Sequence, residues 1–256
     1  MDVVMAGLSA SAFLVALAVA GFAGFVKGAV GFAMPMIMIS AFSSFLPPDV
    51  ALAGLILPTL FTNLSQAFRQ GVPAARDTAF TYRRFLIGTV IFIAVSAPFA
   101  ALIPRDAFLL LLGLPITIFA ALQLAGFSLA IRLHHQTRAE WGLGVIGGLY
   151  GGVSGIWGPP LLIYLLSTGA TKIEAIRAQG VVFLIGAVAL LAAHLGTGVA
   201  NGPSLAFSAA LSIPALIGLK VGYAVQDRLD QVRFRRWTQG LLIVTGLNLV
   251  RQVIFA

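Results

Sequence analysis

The chain contains no cysteine. Disulfides, thiolate metal sites and cysteine catalysis are therefore excluded. Charge is also scarce. Only 9% of the 256 residues are Asp, Glu, Lys or Arg, against about a quarter in ordinary soluble domains. Carboxylates are scarcer still: Asp2, Asp49, Asp77, Asp106, Glu140, Glu174, Asp227 and Asp230 are all of them, and each maps to a loop or a segment end. No mid-membrane carboxylate relay, the usual mark of a proton-coupled carrier, is expected. There is no H-E-x-x-H motif and no pair of carboxylates within one apolar segment, so a membrane-embedded enzyme would lack its chemistry. His134 and His135 stand in a basic loop without a ligand pattern and are assigned to solvent. No metal and no cofactor are expected.

What the chain has in excess is apolar sequence. It is 59% hydrophobic, with a mean hydropathy of +1.01. Apolar segments run at Leu8–Val26, Gly28–Leu46, Val50–Phe68, Phe85–Ile103, Ala107–Ile131, Trp141–Trp157, Pro159–Thr168, Ile176–Leu195, Pro203–Val225 and Trp237–Ala256. A crossing needs about 20 such residues. Eight segments reach or approach that length; Pro159–Thr168 does not, and Trp141–Thr168 is too long for one crossing and too short for two. The polar stretches Arg69–Arg84, Arg132–Glu140 and Gln226–Arg236 are expected as loops. No basic residue precedes the first apolar run, which speaks against a cleaved signal peptide. The fold class expected is an all-α polytopic membrane protein.

One pattern organises the chain. Gly24-Phe-Val-Lys27-Gly28-Ala-Val-Gly31-Phe-Ala-Met-Pro35 recurs 124 positions later as Gly148-Leu-Tyr-Gly-Gly152-Val-Ser154-Gly155-Ile-Trp157-Gly-Pro159. The shared frame, G-x3-G-x2-G-x3-P, implies two copies of one membrane unit, residues 1–131 and 132–256. Each carries a stretch where regular helix is difficult, and paired interrupted segments of this kind point to a transporter's binding site. Whether Gly28–Leu46 and Pro159–Thr168 cross or re-enter is left open.

The net charge of +8 would raise nucleic acid as a partner in a soluble protein. Here the basic residues gather in short loops between apolar spans, so the bilayer is the partner and nucleic acid is not. Assigning the Arg69–Arg84 loop to the cytoplasm places twelve of sixteen Lys and Arg on one side. The repeat equivalent of that loop, residues 193–208, has no Lys or Arg. Equivalent loops therefore fall on opposite sides, as in an inverted-topology repeat, with both termini outside. A structural or assembly subunit would not need such duplicated, interrupted helices.

These motifs, with Pro214-Ala-Leu-Ile-Gly218-Leu-Lys-Val-Gly222, Arg228-Leu-Asp230, Phe234-Arg235-Arg236 and Leu241-Leu-Ile-Val-Thr-Gly246-Leu, resemble the TauE/SafE sulfite exporter family of small-anion membrane transporters. The resemblance covers nearly the whole chain. It implies a multi-pass protein of a prokaryotic plasma (inner) membrane. It also implies export of sulfite or an organosulfonate such as sulfoacetate by alternating access. Import of another small anion remains the alternative, and the oligomeric state, a homodimer included, stays open.

An oxyanion needs aimed N–H groups, hydroxyls or amides, and one cation. Broken helices offer N–H groups at their N-termini. Gly28, Gly31, Gly152 and Gly155 permit close approach of backbone to a ligand, or equally of one helix to another. Pro35 and Pro159 suit the first turn of a new helix. Lys27, inside the first motif, either attracts the anion or snorkels to the cytoplasmic rim. Its repeat equivalent is Gly151. Lys220 and Arg251 lie near span ends and are assigned to snorkelling. Asn63 and Gln66 share a helix face, and Gln179 stands beside Gly180; each amide could meet the ligand or bond another helix. Ser154 and Trp157 could line the site, and Trp157 could equally pack. The two motifs are expected to enter from opposite faces and hold the anion near the midplane.

Overall fold

The computed structural model describes residues 8–127, 135–198, 200–228 and 231–254. Asp2, Arg132, His134, Asp230, the end of Ala107–Ile131 and the last residues of Trp237–Ala256 lie outside the described residues. The described residues form helices and no strand. In order they are α1 (Ala10–Val30), α2 (Met34–Phe42), α3 (Pro48–Ala67), α4 (Val72–Thr81), α5 (Arg83–Ser96), α6 (Arg105–Leu124), α7 (Gln136–Ser154), α8 (Gly158–Ser167), α9 (Lys172–Thr197), α10 (Gly202–Gln226) and α11 (Gln231–Ile254). A 3₁₀ turn, Ala97–Leu102, prolongs α5. Among the described residues, six helical stretches are long and apolar enough to cross a bilayer: Ala10–Val30, Pro48–Ala67, Arg83–Ala100, Asp106–Leu124, Ile173–Gly196 and Gly202–Gln226. Gly158–Ser167 and Leu242–Ile254 are shorter apolar pieces. The protein is thus an all-α, multi-pass membrane protein.

Several expected boundaries move. The first helix continues through Lys27 and Gly28 to Val30, so Gly28–Leu46 is not one segment; the interruption is Gly31–Ala33. Arg69–Arg84 is not a plain loop, because it contains α4 and the start of α5. Gln226–Arg236 is mostly the beginning of α11. Glu140, expected in a loop or at a segment end, lies inside α7 and is buried. Its carboxylate accepts from the Phe85 N–H at 3.4 Å and pairs with Arg84 at 3.5 Å.

The 124-residue offset lays α7 on α1, α8 on α2, α9 on α3, α10 on α5 and α11 on α6, and leaves α4 without a counterpart. The chain nevertheless folds into two compact units that each draw on both halves. Unit 1 comprises residues 1–58, 101–128 and 199–256. Its main helix pair is α1 with α10. A β-carbon added at Gly24 would meet the Ala215 carbonyl, and one at Gly28 the Leu219 carbonyl. From the other side, Gly218 lies on Gly21 and Gly222 on Phe25. Two G-x3-G faces thus press backbone to backbone, the usual device for helix association in lipid. The second pair, α6 with α11, meets at Gly113 and Gly246 and is tied by the Gln239 amide donating to Gln123 at 2.6 Å. Pro58, within α3, has no N–H to donate to the Gly54 carbonyl. The Ser208 hydroxyl of α10 donates to that carbonyl instead, at 3.0 Å, and accepts from the Leu57 N–H at 3.0 Å.

Unit 2 comprises residues 59–100 and 129–198. Its main pair is α5 with α7. Gly144 faces the Phe85 backbone, Gly148 the Thr89 carbonyl, and Gly152 the Ile93 carbonyl and Ser96 hydroxyl. Thr89 and Ser96 donate across to the Gly144 and Gly148 carbonyls at 3.3 and 3.2 Å. By the repeat offset this is the same kind of pair as α1 with α10. In each unit the motif-bearing helix of one half packs on the other half's α5 or its offset equivalent, α10.

Candidate anion site at the broken helices

Each motif ends a helix and starts another. In unit 1, α1 is capped by Gly31 at φ 89° in the left-handed region, its N–H donating to the Lys27 carbonyl at 2.7 Å. A glycine there carries no β-carbon penalty. Ala33 follows at φ 79°, a left-handed conformation that costs a non-glycine residue about 1–3 kcal/mol. Pro35 then occupies the first turn of α2, where a missing N–H costs little. Unit 2 repeats the construction. Gly155, at φ 70°, caps α7 and donates to the Gly151 carbonyl at 2.7 Å. Pro159 stands in the first turn of α8.

The duplicated glycines divide into two kinds. Gly31 and Gly155 make the interruptions through their backbone angles. Gly28 and Gly152 sit in helical backbone, and the space beside them is filled by a neighbouring helix.

A helix that ends inside a protein leaves carbonyl groups to satisfy. In unit 2 the protein does so with side chains. The Ser154 hydroxyl donates to the Tyr150 carbonyl at 2.6 Å and accepts from the Ile156 N–H at 3.1 Å. His194, fully buried near the end of α9, brings Nε2 to 3.2 Å from the Gly152 carbonyl. His194 is not among the candidates that the sequence singles out; His134 and His135, in a basic loop, are the more conspicuous histidines. The available signal was a lone histidine in an otherwise apolar span.

Trp157 is buried and fills the space beside Gly151 and Gly186. Its ring meets Phe183 edge-on at a centroid separation of 6.3 Å. Gln179 precedes Phe183 and Gly186 by four and seven positions, which places it on the same face of α9. It is 4% exposed, and its Oε1 has no hydrogen-bond partner among the described residues. On α3, Asn63 and Gln66 are buried; Gln66 donates to the Ile176 carbonyl at 3.0 Å, and Gly180 rests on Gln66 and Ala67. Unit 2 therefore gathers Asn63, Gln66, Gly152, Ser154, Gly155, Trp157, Pro159 and Gln179. Replacing Trp157 with alanine should lower stability by about 3–5 kcal/mol, as large aromatic truncations in a packed core do. Thermal unfolding in detergent measures it, and replacement by phenylalanine should recover most of the loss.

Unit 1 holds Lys27, Gly28, Gly31 and Pro35. Lys27 is 1% exposed and among the largest fully buried side chains. A snorkelling lysine carries its ammonium out to the surface; this one stays inside. It occupies the last turn of α1, one turn before the interruption. Lys220 and Arg251, by contrast, are exposed. Among the described residues no group of three or more His, Asp or Glu is placed to hold a metal ion.

The sulfite exporter TauE/SafE family model matches residues 16–249. No match accompanies it among curated proteins or solved structures. A match of that span takes in both interruptions, five of the six spans whole and most of the first, and the glycine faces that pair them, and the chain belongs to the sulfite exporter TauE/SafE family of membrane transporters.

Proposed function

We propose that this chain exports a small sulfur oxyanion or organosulfonate, such as sulfite or sulfoacetate, as a secondary transporter of the prokaryotic plasma membrane. The observation that carries the reading is Lys27: a lysine held inside the protein, one turn from an interrupted helix, in a member of this family. The start of α2 adds backbone dipole to the same stretch. The interruption thus offers an oxyanion charge and N–H groups without a carboxylate nearby in sequence. The distribution of basic loops supports a cytoplasmic Arg69–Arg84 stretch, outside termini and inverted halves meeting at residue 131.

An inside-negative potential favours anion exit by about 2.3 kcal/mol per charge per 100 mV, so export needs no buried proton relay. Glu140, the buried carboxylate, is already engaged by Arg84 and the Phe85 N–H. The test is a thermal-shift screen over sulfite, sulfate, thiosulfate, sulfoacetate and simple carboxylates. It is followed by efflux from proteoliposomes. Stabilisation by sulfite or a sulfonate, with efflux that follows the membrane potential, is expected. Stabilisation by carboxylates alone would overturn the substrate class. Undiminished efflux at zero potential under a pH gradient would overturn the driving force.

A further inference from the structure

The helix without a repeat counterpart, α4, has a fixed inner face and an unusual outer one. Inside unit 2, Ala75 packs with Ala67 and Val181, and Ala79, Leu184 and Ile185 complete the cluster. Arg177 of α9 locks the arrangement: its Nε donates to the Thr78 hydroxyl at 2.7 Å and its Nη1 to the Gln70 Oε1 at 3.0 Å. This docking leaves Val72, Arg76 and Phe80, each one turn from the next, pointing away from the protein. Val72 is 65% and Phe80 57% exposed, and the Arg76 guanidinium lies over the Phe80 ring at 5.6 Å. Phe68, just before α4, is exposed as well.

An alternation of large apolar and basic side chains suits neither water nor hydrocarbon, but it suits the boundary between them. The height of α4 agrees. Gly180 rests on Ala67, the last residue of α3, with Arg69 two residues on. The 26 residues of α9 span about 39 Å at 1.5 Å each, more than the roughly 30 Å of hydrocarbon. Its first turns, which carry Arg177, therefore reach past the end of α3 to the level where α4 is clamped. Residues 69–84 contain four arginines and one aspartate. Arg84 is drawn to Glu140, which leaves Arg76 and Arg83, against Asp77, to set the sign of the surface.

We propose that α4 is an interfacial helix whose outer face binds anionic phospholipid headgroups, with Val72 and Phe80 seated among the upper acyl chains and the arginines on the phosphates. The equivalent stretch of the second half, residues 193–208, has no Lys or Arg and, among the described residues, no helix of its own. The lipid contact belongs to one face of the membrane only.

The test uses the full chain with Phe80→Trp, reconstituted into vesicles of brominated lipid. The signal of Trp141, Trp157 and Trp237 is subtracted from the parent protein. Bromines near the headgroup end of the acyl chains should quench the added indole more than deep ones. Phosphatidylglycerol should do so more than phosphatidylcholine. Arg76→Gln and Arg83→Gln should each weaken that preference about fivefold, while the inner face and insertion stay intact. Equal quenching by the two lipids would overturn headgroup recognition. Quenching by acrylamide but by neither lipid would place α4 in water, with a protein partner as its occupant, and would also overturn the proposal.

Discussion

Replacing Lys27 with methionine is expected to weaken binding of the transported anion at least about thirtyfold, the lower end of the ~2–5 kcal/mol lost when one partner of a buried charge pair is removed. Methionine keeps an unbranched apolar stem like that of lysine and lacks only the terminal ammonium. It is spared the desolvation cost of a buried charge, which offsets the interactions the ammonium gives up. The two effects should separate: melting temperature without ligand unchanged or raised, ligand-induced shift lost, efflux lost. Lys27→Arg retains the charge but needs room for a planar fork, and should restore binding only in part. A different role for Lys27 is open to the same experiment. As a cation in the last turn of α1 it can serve the carbonyls of that helix end. In that case Lys27→Met would lower the melting temperature and leave the ligand-induced shift as it was, and the proposed anion contact would be wrong.

The second large effect is expected at Gly28. A valine there would drive its β-carbon into the Leu219 carbonyl, with Gly222 close behind. Backbone cannot swing aside as a flexible side chain does, so α1 and α10 must part along their contact. The cost should exceed the ~1–3 kcal/mol of ordinary overpacking, and folded protein should fall sharply in detergent extracts. Gly152→Val should behave alike, since its β-carbon would strike the Ile93 carbonyl and Ser96. Gly142, in α7 with open space beside it, is the control. Alanine there should gain about 0.5–1 kcal/mol of helix stability. A Gly28→Ala protein that stays as stable as its parent yet loses transport would return Gly28 from helix packing to the ligand.

The interruptions were legible in the sequence because each needs a residue that tolerates positive φ and then a proline in a first turn. Gly31 with Pro35, and Gly155 with Pro159, supply both. In the first half the sequence places the break four residues early, at Lys27 instead of Gly31. Lys27 and Gly28 look like a place to stop, yet packing on α10 keeps both in helix. Helix α4 was not legible, since its short sequence has no continuous apolar face; docking on α9 and the Arg177 clamp hold it. His194 and Gly152 lie 42 residues apart, and nothing local joins them. The glycine faces announced close packing without naming the partner. In retrospect Gly218 and Gly222 display the same spacing as Gly24 and Gly28, and like spacing is what lets the two surfaces mesh.

That meshing has a consequence for biosynthesis. Gly24 and Gly28 leave the ribosome about 190 residues before their partner surface, a wait of roughly 10–40 s at ordinary translation rates. A soluble protein with so late a partner would expose a sticky face for that time. In lipid a glycine face feels no hydrophobic force toward wrong partners, because hydrocarbon is as apolar as the side chains beside it, and it holds firmly only to a surface that meshes with it. The first helix can thus be inserted early and wait in the bilayer until α10 arrives. Neither half can complete its own packing, so assembly must follow insertion instead of accompanying it.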